Sequence, residues 1–224
     1  MSLTLSPNDV KPGDVLLCRP PEGINASKVV RRSIAAVTGC PYTHAAIALS
    51  HSEVLDARPL HGVKVRPLAE LLAEARHVAV LRHPDAWNPQ RIDGLRDYAA
   101  ALQALGAGYN YREALRYSAN RRRHAVEAMD ALARYFETGE QQPAADFGPF
   151  FCSELVAACF VDSGFLHPSA AVVIAPGVQA PGDLTKEPAF GFLVGFLTAD
   201  SRSKVPEDDP MLLHTRYREI FGAQ

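Results

Sequence analysis

Along the first 84 residues the apolar positions come in short runs bounded by turn-forming residues, a pattern of strands and not of long helices. "KPGDVLLCRPP" (11–21) opens on a turn signal, Pro12 and Gly13, and stays apolar until two prolines, which predicts a strand of about five residues. "NASKVVRRSIAAVTG" (25–39) has helical spacing, Asn25 or Ser27 as N-cap and Gly39 as a stop, which predicts a short helix. "HAAIALS" (44–50) and "EVLDARP" (53–59) flank the polar turn Ser50–Ser52 and predict a β-hairpin. "GVKVRPL" (62–68) and "HVAVLRHP" (77–84) are further strands, with a helical turn or two in "LAELLAEAR" (68–76) between them.

From residue 88 the period lengthens. "NPQRIDGLRDYAAALQALG" (88–106) and "REALRYSANRRRHAVEAMDALARYFE" (112–137) repeat at helical spacing, and "TGEQQPAADFGPF" (138–150) breaks the pattern before another helix begins near Cys152. A proline-containing loop, a last strand in "FGFLVGFLT" (190–198) and a charged tail from about 200 to 224 complete the chain. The order predicts one α+β domain over 1–224, a small antiparallel sheet with helices packed on one side. The helical stretch at about 112–146 is set into it as an insertion.

The candidate chemistry centres on "GPFFCSELVAACF" (148–160). Leu155, Val156, Cys159 and Phe160 lie on the same side of the helix as Cys152 and bury it, while Cys152 itself falls at the N-terminal tip. A thiol there feels the partial positive charge of unpaired N–H groups, which favours the thiolate and can also hold an oxyanion. The other account of Cys152 is a small buried hydrophobe, so a partner base decides. With a three-residue turn, facing hairpin positions sum to 102: Leu49 faces Glu53 and Ala46 faces Asp56. Ala45, Ile47, Leu49, Leu55 and Ala57 then share the core face. His44 and Asp56 are diagonal neighbours on the other face, beside alanines that leave room for a further element. A histidine oriented by a carboxylate and facing a helix-tip cysteine is what a thiol nucleophile needs. Of the remaining histidines, His51, His61, His77, His83 and His124 are accounted for by solvated positions, as is the basic run 121–124.

Composition narrows the partners. With 23 basic and 25 acidic residues the net charge is −2, which gives no global reason to expect nucleic acid. No apolar run is long enough for a membrane span, and "MSLTLSPNDVKPGD" lacks the features of a secretion signal, so a cytoplasmic location is expected. Four cysteines without a CxxC pair read as free thiols. A metal site on Cys40 and His44 has no recognised spacing beyond "CPYTH", and neither metal nor cofactor is expected.

"KPGDVLL", "YTHAAIAL", "VLDA" followed by "GV", "FCSELV" and "APGDLTKEPAF", in this order, resemble the circularly permuted branch of the NlpC-type papain-like cysteine peptidases, most closely its YiiX-like members. The resemblance covers roughly residues 10–84 and 147–198. It implies a permuted papain-like fold, a sheet or half-barrel against helices, with Cys152 as nucleophile, His44 as general base and Asp56 as third residue. Relatives commonly carry glutamate at that third position and tyrosine before the cysteine, where this chain has Asp56 and Phe151. "GAGYNY" matches the family's glycine and tyrosine turn, placing Tyr109 at the cleft; Tyr42, Phe151 and Ser153 are the other expected substrate contacts. The implied activity is hydrolysis of a peptide amide, lipid amide or ester of small-molecule size, with homo-oligomer formation left open. Two rivals accompany it. One is acyl transfer of the lecithin:retinol acyltransferase type, whose usual asparagine-cysteine-glutamate-histidine context differs from "FCSELV". The other is a binding module that kept the fold without turnover.

Overall fold

A computed structural model describes residues 4–21, 39–139, 149–174, 176–199 and 205–212. Six strands, β1 (Val15–Arg19), β2 (His44–Ala48), β3 (Glu53–Arg58), β4 (Gly62–Pro67), β5 (His77–Arg82) and β6 (Phe192–Leu197), form one antiparallel sheet in the order β4-β3-β2-β1-β5-β6. The helices are α1 (Leu68–Ala73), α2 (Pro89–Ala104), α3 (Tyr111–Thr138), α4 (Cys152–Asp162), α5 (Pro168–Val173) and α6 (Pro181–Leu184). The expected helix at 25–39 lies almost wholly outside the described residues.

Strand alternation divides the core in two. Ala45, Ile47, Leu55 and Ala57 point to one face, where Leu95, Tyr98 and Leu102 of α2 and Leu155, Val156 and Phe160 of α4 cover them. Ala46, Ala48 and Val54 point to the other, beneath Leu68, Leu71 and Leu72 of α1. Helices therefore pack on both faces, where one had been expected: α1 has a leucine stripe of its own, and the alanines leave it room to seat closely. Each fully buried leucine, valine or phenylalanine here contributes on the order of 2 kcal/mol of burial free energy.

The "KPGD" turn is structural. Gly13 sits at φ +84°, Asp14 donates its N–H to the Lys11 carbonyl at 3.1 Å, and the Asp14 carboxylate receives Arg82 through two hydrogen bonds of 2.8 and 2.7 Å. This clamp joins the entrance of β1 to the end of β5.

The far C-terminal region is partly integral. Asp209 is fully buried, accepting hydrogen bonds from Tyr42 Oη at 2.8 Å and Arg19 at 3.2 Å, with His77 Nε2 3.0 Å away. His77 is accordingly a buried residue and not a solvated one. Its carboxylate partner lies 132 positions further along the chain, beyond the reach of strand patterning.

Candidate active site

The β2–β3 hairpin has the register that its turn length predicts: Ala46 faces Asp56, Ile47 faces Leu55 and Ala48 faces Val54. His44 and Asp56 are thereby diagonal neighbours, and His44 Nε2 lies 2.7 Å from Asp56 Oδ1. The contact is close but off the ideal hydrogen-bond direction, so it acts as an ion pair first. Since Asp56 occupies Nε2, Nδ1 is the imidazole nitrogen left for the sulfur.

Cys152 arrives from the other face of the sheet. α4 packs on the Ala45, Ile47, Leu55 face, so it does not fill the space beside Ala46 and Ala48, which α1 occupies. Cys152 is the first residue of α4 and His44 the first of β2, and the helix packs against that strand. There the Cys152 side chain is near enough to His44 to help raise it. The delivery of Cys152 can be followed bond by bond. Val63 of β4 donates its N–H to Ala107 at 2.9 Å; Gly108 accepts the Phe150 N–H at 3.1 Å; Asn110 donates back to Phe150 at 3.1 Å. Gly62 (φ +69°) permits this approach, because a Cβ there would stand 2.6 Å from the Ala107 oxygen.

Phe151 caps α4 with extended backbone, and its N–H is taken by Glu154 Oε2 at 3.1 Å, one arm of a capping box; phenylalanine has no oxygen for the other arm. The first closing bond runs from Leu155 N–H to Phe151, which leaves the N–H groups at Cys152 and Ser153 without intrahelical partners and aimed out of the helix tip.

Burial alone would depress the basicity of His44. The Asp56 charge and contact, and then the Cys152 side chain, outweigh it and push the imidazole up to about 10. Asp56 is 1% exposed, and its burial would raise it, but His44 and then Arg66 hold the carboxyl below the ordinary carboxylate range. Arg66 on β4 is absent from the expected site; its Nη2 lies 2.6 Å from Asp56 Oδ2. The signal existed. Asp56 faces Lys64 and Val54 faces Arg66, so the diagonal rule that pairs His44 with Asp56 gives Arg66 when extended by one strand.

The other expected contacts separate. Tyr109 is half-buried and bridged to Phe150, next to the cysteine segment. Phe151 is buried at the cap. Ser153 is fully buried and donates to the Gln179 carbonyl at 2.7 Å, and Tyr42 is fully buried on Asp209, so both side chains are directed into the protein. Cys40 is buried, and among the described residues no group of three or more His, Cys, Asp or Glu could hold a metal ion. The helical insertion packs across α5 through His124 Nε2 and the Val173 carbonyl, 2.9 Å apart, beside a cleft of about 410 Å³ that Met129, Val173, Gln179 and Lys186 help to line.

The chain matches no protein-family model, no curated protein and no solved structure. The class defined by fold and geometry is an α+β protein with a six-stranded antiparallel sheet packed against helices, carrying a cysteine, histidine and aspartate in one cluster. No helix among the described residues is long and apolar enough to cross a membrane.

Proposed function

We propose that the protein is a thiol hydrolase of permuted papain-like fold, similar to the YiiX-like NlpC-type enzymes, that cleaves an amide or ester through a thioacyl intermediate. The observation that carries this reading is the meeting of His44 with Cys152 on one side and Asp56 on the other. His44 takes the Cys152 proton, and the sulfur attacks the carbonyl carbon. The first-turn N–H groups of α4 receive the oxyanion, and His44 returns the proton to the departing amine or alcohol. Water, deprotonated by His44, then cleaves the thioester and restores the thiol.

Limiting iodoacetamide tests it. Cys18, Cys40 and Cys152 are 6%, 5% and 5% exposed, so accessibility does not favour Cys152. Selectivity must come from His44. Mass spectrometry should find Cys152 alkylated at least about tenfold faster than the other cysteines, with the preference lost in His44→Ala. Equal labelling in the wild type overturns the reading. Turnover of a peptide or lipid amide or ester, absent in Cys152→Ala, then fixes the substrate.

A further inference from the structure

Asp56 lies between two cationic groups, and the second has no place in the reaction steps above. Its Oδ1 meets His44 and its Oδ2 meets Arg66 Nη2 at 2.6 Å. Arg66 is 8% exposed, and its Nη1 continues to Glu74 Oε2 at 3.4 Å; Glu74 Oε1 in turn holds Arg58 Nη2 at 2.8 Å. Charges of alternating sign therefore run from the sheet end through β3 and β4 to the C-cap of α1.

We infer that Arg66 is a positioning residue for the proposed thiol site, clamping the Asp56 carboxylate so that one oxygen stays on His44 and limiting how tightly that carboxylate holds the His44 proton. The inference rests on the hydrolase reading for its catalytic meaning, but the link from Arg66 to His44 is physical and is measured separately. Without Arg66 the second carboxylate oxygen loses its cation, and the whole charge of Asp56 falls on His44. A general base that later returns its proton needs an intermediate hold on it, neither the weak basicity of a buried neutral imidazole nor the full grip of an unshared carboxylate.

Among the described residues several groups bear on His44. Asp56 meets it from β3, Cys152 from α4, and Cys18 stands opposite on β1; Arg66, Glu74 and Arg58 act through Asp56. A neutral residue at 66 therefore removes one cation from this set and leaves the rest.

The experiment follows the His44 ring signals by NMR against pH in Arg66→Met and Arg66→Lys, with iodoacetamide labelling of Cys152 on the same samples. In Arg66→Met the His44 midpoint should rise by about one pH unit, the lower end of ordinary charge-pair effects. Cys152 labelling should slow by about tenfold or more, as expected when an orienting partner is lost. Arg66→Lys keeps the charge without the fork, so its midpoint should stay near that of the wild type while labelling is partly restored. Should Arg66→Met not fold, Arg66→Gln removes the same charge and retains a donor toward Asp56. A folded neutral variant with an unchanged His44 midpoint overturns the inference. Non-selective labelling in the wild type defeats the hydrolase reading, yet a displaced midpoint would still establish the link from Arg66 to His44.

Discussion

Replacing Asp56 by asparagine keeps the side-chain shape and removes the one negative charge that His44 and Arg66 share. Both cations are largely buried, with side chains 14% and 8% exposed, and Glu74 at 3.4 Å is the remaining counter-charge for Arg66. Breaking a buried pair by removing one partner costs about 3–5 kcal/mol. The rise of His44 from its ordinary 6.5 to about 10 corresponds to roughly 5 kcal/mol of preference for the imidazolium, an upper bound of the same order. The sign fixes the pH window. A raised histidine contributes stability that is complete below 6.5 and is lost as pH climbs toward 10. Asp56, held low, contributes above its ordinary 3.8 and loses that contribution as pH falls through its lowered value. In Asp56→Asn burial, which lowers His44, is opposed by the Cys152 side chain without the carboxylate, so the imidazole loses its proton at a lower pH than in the wild type. The stability gap between wild type and variant should thus be widest between about pH 4 and 6.5 and shrink toward pH 10, where the stranded Arg66 accounts for what is left. Urea unfolding near pH 5.5, 7.5 and 9.5 measures it, provided the slopes agree. A gap that stays constant from pH 6.5 to 10, or a variant as stable as the wild type, refutes the shared-carboxylate reasoning.

Two further outcomes separate scaffold from chemistry. Ser153→Ala loses the hydrogen bond to Gln179 and should cost about 1–2 kcal/mol in urea unfolding while leaving Cys152 alkylation within about threefold; a tenfold drop in alkylation would instead give the hydroxyl a part in activating the thiol. Asp209→Asn strands Arg19 and His77 and should cost about 2–4 kcal/mol, against about 1 kcal/mol for Tyr42→Phe, which deletes only one donor to that carboxylate. Thermal unfolding ranks them, and equal stability of Asp209→Asn and wild type would show that residues 205–212 do not clasp the sheet as described.

Legibility in the sequence followed the range of the interaction. The hairpin was readable because a three-residue turn fixes its register, and register fixes which side chains are diagonal, so His44 and Asp56 could be paired from spacing alone. The tip position of Cys152 was readable because the apolar stripe of α4 begins there. Alternation says which residues share a face but not which helix will cover it, and two amphipathic helices competed for the hairpin. α1 follows β4 directly and took the alanine face; α4 took the other. Asp209 reads as part of a charged tail because one member of the acidic run Glu207–Asp208–Asp209 between prolines carries no sign of the tyrosine, histidine and arginine it will meet.

That division by range also separates two parts of the candidate site. The imidazole and its carboxylate come from a single hairpin, and the arginine behind them from the next strand, so three adjacent strands assemble that half locally. The sulfur is positioned by a relay of backbone hydrogen bonds, from Val63 to Ala107 and from Gly108 to Phe150, that crosses from the sheet edge to the tip of α4. A glycine stands where the relay is tightest: Gly62 has no space for a Cβ beside the Ala107 oxygen. The "GV" after "VLDA" thus has a steric reason at Gly62, which is to let the chain that bears Cys152 come close to the sheet edge, whereas Gly106 in "GAGYNY" is there for its backbone, at φ +64°.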